Sequence, residues 1–178
     1  MLKAFLGIWD QPDEHYPKVD GSCEWIDSRE DFQDWRDPAD DLLATGEVNS
    51  EDRMPSLYWI HANPGTGKTF LAAHVAAELR EFKLNCSYHF FHVGNIASQS
   101  LGYFLRSMAY QMSVSNSLIR EKLVAMVEEG MSFDPDDYRT IWTKVFKRSI
   151  FQVCYRHKPD GTYCANILSL IYTLHNTG

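Results

Sequence analysis

One run of eight residues, Ala62-Asn63-Pro64-Gly65-Thr66-Gly67-Lys68-Thr69, has both the residue types and the spacing to do chemistry. It matches the phosphate-binding pattern GxxxxGK[ST] at every fixed position except the first, where Ala62 replaces glycine. Gly65 and Gly67 let the backbone turn so that its N–H groups converge on phosphate oxygens, with no Cβ in the way. Lys68 supplies a cation for the terminal phosphates, and the Thr69 hydroxyl suits Mg²⁺. The ligand expected here is ATP or GTP with Mg²⁺, held by residues 62–69. The methyl group of Ala62 is tolerable if that residue keeps a negative φ.

Such a loop works only between a strand and a helix. Residues 57–62 are mostly apolar and partly aromatic, as in a short buried strand of a parallel sheet. After the loop, Leu71, Val75, Leu79 and Phe82 recur at helical spacing, so the positive end of a helix dipole should face the bound anion. Residues 86–93 form a second strand-length apolar run. Leu101, Phe104, Leu105, Met108 and Met112 then make the stripe of an amphipathic helix. A third helix is expected over residues 118–129, with Gly130 as its C-terminal glycine. A fourth should start at Asp134-Pro135-Asp136-Asp137 and bury Tyr138, Ile141, Trp142, Val145 and Phe146. Alternating strands and helices predict an α/β fold, a partial P-loop NTPase with a parallel sheet flanked by helices.

A hydrolase of this class also needs an acid at the end of a second apolar strand. The apolar run 167–174 ends at His175 and Asn176, and Asp160 is the last carboxylate in the chain. Only residues 4–10 resemble a strand closed by an acid, Asp10, and they read better as an N-terminal docking segment. No catalytic residue is therefore assigned. His89 and His92 fall on opposite faces of a regular strand and make no common site. His61 ends the strand before the loop without a distinct role. Cys23, Cys86, Cys154 and Cys164 are too widely spaced for a zinc or CxxC pair and read as reduced thiols.

The 178 residues carry 24 acids and 17 bases, a net charge of −7. The charge is uneven: residues 1–55 hold 15 acids against five bases, and the remainder nine against 12. The division suggests an acidic leader over 1–55 ahead of a mildly basic body. Neither part has the clustered Lys and Arg of a nucleic-acid footprint, and no apolar stretch approaches a membrane span. A cytoplasmic location is expected. Within the leader, Trp25, Ile26, Phe32 and Trp35 stand among carboxylates, with Ser28 placed to cap a short helix. These aromatics are expected to dock the leader on the body, with a protein-partner patch as the other reading.

Several blocks together carry a resemblance: Cys23-Glu24-Trp25-Ile26 with Phe32 and Trp35, then Tyr58-Trp59-Ile60-His61 running into the loop and Phe70-Leu71. Gln99-Ser100-Leu101, Leu105-Arg106-Ser107-Met108-Ala109-Tyr110-Gln111 and Ile141-Trp142 complete it. Over roughly residues 20–152 the chain resembles the NACHT-type signal-transduction NTPases common in fungi, NOD-like receptors with a nephrocystin-like nucleotide-binding module. That resemblance implies a central NTPase of a larger switch protein, with an N-terminal effector, C-terminal sensor repeats and ligand-driven oligomerisation. It assigns phosphate and Mg²⁺ contacts to Gly65, Gly67, Lys68 and Thr69. The chain departs from the family at Ala62, and the resemblance implies the N-terminal half of a nucleotide-binding domain over 56–152, truncated there and followed by an atypical, replaced or misread tail over 153–178. The leading expectation is nucleotide binding with weak or no hydrolysis. The rivals are a small P-loop metabolite kinase and a non-catalytic interaction fragment with a vestigial loop.

Overall fold

The computed structural model describes residues 1–8, 21–36, 58–82, 86–91, 99–156 and 168–173. Asp10, Leu57, His92, Val93, His157, Cys164, His175 and Asn176, on which parts of the sequence reading fall, lie outside the described residues. Helix α1 spans Leu2–Phe5, a 3-10 turn spans Glu24–Ile26, and α2 spans Glu30–Arg36. The loop leads into α3, Lys68–Glu81, followed by strand β1, Cys86–Phe91. Helices α4, Leu101–Ser115, and α5, Ser117–Glu128, come next. A short α6, Tyr138–Ile141, runs on as a π-helix over Trp142–Ile150 and then as α7, Phe151–Arg156; strand β2, Leu168–Thr173, is last.

β2 lies parallel to β1, in register from Cys86 opposite Leu168 to Phe91 opposite Thr173. The ladder joins segments some eighty residues apart, with the helices α4 to α7 in the connection, as a parallel pair requires. The side chain of Gln111 on α4 treats β1 much as a neighbouring strand would. Its Oε1 accepts from the Tyr88 N–H at 3.0 Å and its Nε2 donates to the Tyr88 carbonyl at 2.8 Å. Residues 58–62 were expected to form a strand, but they have no strand conformation, and Trp59 is 77% exposed. Extended backbone becomes a strand only with a ladder partner, and the one ladder among the described residues joins β1 to β2.

The larger apolar cluster joins Leu105, Met108 and Met112 of α4 to Ile119, Leu123 and Met126 of α5 and to Ile141, Val145, Phe146 and Ile150. The N-terminus docks into it through buried Leu6 and Ile8, as a helix and turn where an apolar strand was an option. Arg106, itself buried, fixes that docking: its Nη1 donates to the carbonyls of Leu6 at 2.7 Å and Gly7 at 3.1 Å. Burial lowers the pKa of this guanidinium, and the nearby Asp136 opposes the shift.

Helix α5 begins and ends as its sequence dictates. The Asn116 side chain accepts from the N–H groups of Leu118 and Ile119, and Gly130 takes a positive φ of 71° beyond the last turn. The next helix starts later than expected. Asp134 accepts from Asp136 N–H and closes a turn, so the cap passes to Asp137, which accepts from the N–H groups of Arg139 and Thr140. That turn rides on α4 at Gly102, where an added Cβ would collide with the Pro135 carbonyl. In the π-helical stretch the Phe151 N–H reaches the Phe146 carbonyl and the Ser149 hydroxyl reaches that of Lys144, each five residues back. This wider winding turns Val145, Phe146, Ser149 and Ile150 inward and leaves Trp142 partly exposed, stacked on Phe146.

The second cluster packs the leader on α3. Ile26 and Phe32, each 1% exposed, meet Leu71, Val75 and Leu79, with Trp35 and Tyr58 at the margin. Ser28 does not cap α2: its hydroxyl donates to the Trp25 carbonyl and closes the 3-10 turn. Ala72 and Ala76 on another side of α3 let Tyr88 and Phe90 of β1 approach closely. No helix among the described residues is long and apolar enough to cross a membrane.

At the surface of the docked leader, Asp31 binds Arg29 through two contacts of 2.8 and 2.9 Å and accepts from the Tyr58 hydroxyl at 3.2 Å. The Arg29 hydrogen bond is the main cause that lowers the Asp31 pKa from 3.8 to about 2. A carboxylate with a depressed folded pKa stabilises above its unfolded pKa, and the contribution disappears as pH falls through the folded one. Between pH 3.8 and about 2, the urea midpoint of the wild type should therefore converge on that of Asp31→Asn. Because the pair is exposed, added salt should shrink the difference at neutral pH as well.

Candidate functional site

The residues singled out by the motif, Ala62 to Thr69, are all described and form one turn leading into α3. Asn63, Pro64, Gly65, Thr66 and Gly67 are exposed, Ala62 and Lys68 are half-buried, and Thr69 is buried. The shape of the turn rests on two glycines in the left-handed region, Gly65 at φ 78° and Gly67 at φ 83°. A Cβ on either would meet nothing within 4 Å. Backbone conformation, not crowding by the protein, is what calls for glycine at both places. Ala62 is not among the residues with positive φ, a group whose one non-glycine member in the described chain is Cys23. Alanine at the first motif position therefore carries no backbone strain.

Lys68 folds back over the turn. Its Nζ donates to the Ala62 carbonyl at 2.9 Å and to the Asn63 carbonyl at 2.7 Å. The Thr66 hydroxyl donates to the same Asn63 carbonyl at 2.8 Å. Three hydrogen bonds from two donor groups thus converge on two adjacent carbonyls, which keeps the ammonium group at the mouth of the loop. Gly67 caps α3 without a side-chain bond, and its carbonyl accepts the first helical N–H, from Leu71, at 3.0 Å. The partial positive charge of the helix start and the charge of Lys68 therefore act on the same exposed turn.

Of the remaining candidates, His61 is exposed beside the loop. His89 is buried on β1 among the rings of Phe91, Tyr103 and Phe104. It sits on the face of the strand turned to α4 and takes no part in the loop. Cys23 and Cys86 are free thiols, and burial pushes the Cys86 pKa up to about 11, away from reactivity.

The nephrocystin 3 N-terminal family model matches residues 21–164. The chain belongs to the nephrocystin 3 N-terminal family. The matched span takes in the docked leader, the glycine turn, β1 and the helices α4 to α7. It continues past Gln152 to residue 164, further than the resemblance read from residues 20–152. Membership is consistent with a NACHT-like, nephrocystin-like protein. No curated protein and no solved structure matches the chain.

In this nephrocystin-type chain the left-handed glycine before α3 should resist substitution on conformational grounds alone. Gly67→Ala should destabilise the fold by about 1–2 kcal/mol, the cost of a left-handed non-glycine residue, as read from urea unfolding. Ala62→Gly should bring no comparable gain.

Proposed function

We propose that residues 62–69 bind the polyphosphate of ATP or GTP, as part of a NACHT-type signal-transduction NTPase. The observation that carries this reading is the turn itself. Gly65 and Gly67 are already left-handed, and the Lys68 ammonium is already held over the turn by the Ala62 and Asn63 carbonyls. On nucleotide binding Lys68 exchanges those carbonyls for phosphate oxygens, a charge-assisted and therefore stronger bond. The residues present suit Mg²⁺: Thr69 follows Lys68 in the first turn of α3 and brings a hydroxyl, the oxygen type this hard cation takes. Bound there, Mg²⁺ would neutralise phosphate charge. Family membership supports the reading, since the matched span includes the whole turn.

The same chain is proposed to turn nucleotide over poorly or not at all. Strand β2 runs parallel beside β1, and the residues that follow it directly, Leu174, His175 and Asn176, bring no carboxylate to its end. A P-loop hydrolase uses an acid from such a strand for its magnesium ion and attacking water.

A fluorescent nucleotide titrated into the wild type with Mg²⁺ should bind at one site, and Lys68→Ala should weaken it by about 1.5–3 kcal/mol, the scale of a hydrogen bond to a charged group. Phosphate release should stay at the level of the Lys68→Ala control. Equal affinity in the two proteins would reject the site; release well above the control would reject the second half of the proposal.

A further inference from the structure

Away from the loop, three ligand-bearing side chains meet where the leader crosses α3. His74 is 2% exposed, and its Nε2 lies 3.1 Å from Asp27 Oδ2 and 3.9 Å from Glu78 Oε1. One ligand atom from each of the three lies within 4.8 Å of the other two. His74 and Glu78 stand one turn apart on the same face of α3. Asp27 ends the 3-10 turn of the leader, placed there by Cys23 in the left-handed region and by the buried Ile26 beside it.

The polar atoms of the cluster are only partly satisfied by one another. Arg36 is the nearby cation, with its guanidinium spread over the rings of Phe32 and Phe82. Asp27 Oδ1 and His74 Nδ1 are buried and make no hydrogen bond, a costly arrangement for polar atoms out of water. One imidazole nitrogen and two carboxylate oxygens are a donor set that a divalent cation of the zinc class takes. Zinc bonds of about 2.0–2.2 Å to nitrogen and oxygen imply ligand-to-ligand edges of about 3.3–3.6 Å in a tetrahedron. The two separations from His74 Nε2 bracket that edge.

We propose that Asp27, His74 and Glu78 form a binding site for a divalent cation of the zinc class, coordinated through Oδ2, Nε2 and Oε1, with water in the fourth position. The ion joins the leader to the helix that carries the loop, because one ligand comes from the leader and two come from α3. It does not depend on nucleotide binding at residues 62–69.

The test uses the full chain, stripped with chelator and free of nucleotide and magnesium, titrated with zinc chloride. Uptake of one zinc per chain, with a rise in melting temperature, is expected. Cobalt in place of zinc should give tetrahedral visible bands without the charge-transfer band of a cysteine ligand. Asp27→Asn, Glu78→Gln and His74→Ala should each weaken uptake by at least about tenfold, the lower end of what disturbing ligand support costs. Circular dichroism checks that each variant is folded, and the wild-type titration and cobalt spectrum decide the matter even if none is. Absence of one-to-one uptake by the wild type, a thiolate band with cobalt, or unchanged uptake in folded His74→Ala would each overturn the site. An ion-paired triad that takes no metal would show as destabilised variants and no zinc uptake.

Discussion

The burial of helix α3 on two sides is the constraint on which the described structure turns. Leu71, Val75 and Leu79 are covered by Ile26 and Phe32 of the leader, while Ala72 and Ala76 are covered by Tyr88 and Phe90 of β1. Fully burying a large apolar side chain contributes roughly 1.5–3 kcal/mol before the ordering cost is counted. Small residues on the strand side and large ones on the leader side fix the rotation of the helix about its axis. Its N-terminus is then fixed too, and with it the direction in which Lys68 and the two left-handed glycines present the turn. Arg80 adds to this by placing its guanidinium over the Tyr88 ring at 4.6 Å and bonding the phenol oxygen at 3.0 Å.

Helix α4 links that assembly to the helical half. Gln111 binds the backbone of Tyr88, Arg106 binds the carbonyls of the N-terminal segment, and Gly102 admits the turn before α6. Each of these residues answers a backbone requirement that apolar packing leaves unmet. A strand needs its N–H and C=O groups paired, a docked terminus brings carbonyls out of water, and a turn crossing a helix needs room. Replacing Gln111 or Arg106 by an aliphatic residue would leave buried backbone groups unpaired, at a cost greater than the added apolar area offsets, and any side chain at Gly102 would collide with the Pro135 carbonyl.

What the sequence disclosed and what it withheld divide along the range of the interactions. The turn at residues 62–69, α3, α4 and the end of α5 at Gly130 depend on residues within a few positions of each other, and all are readable from spacing. The Asp134 cap failed locally too, but for a nonlocal reason: the turn at Asp134 is pressed against Gly102 of another helix, and Asp137 caps instead. The π-helical winding carries no sequence signal of its own and follows from fitting Phe146 and Ile150 into a cluster built by α4 and α5. Residues 58–62 have the composition of a strand, yet composition cannot supply a ladder partner. The apolar run near the C-terminus raised the opposite problem: its strand character was legible, whereas its parallel register with β1 was not. Nothing in the sequence next to His74 marks it as part of a site, because Asp27 lies 47 residues away and only the fold brings it there.

The loop itself combines two parts. One part is the pair of glycines, whose left-handed conformations set the shape of the turn, so that the proposed binding would need no change of backbone region at either. The other part is Lys68, which in the proposed complex would give up its two carbonyl bonds to reach an anion. Only the difference between the old bonds and the new ones contributes to affinity, because hydrogen bonding is an exchange. Bonds from an ammonium to neutral carbonyls are weaker than bonds to an ionised phosphate, so the exchange runs toward ligand. It also leaves the Asn63 carbonyl with the Thr66 hydroxyl as a partner, and the turn keeps an internal bond in both states.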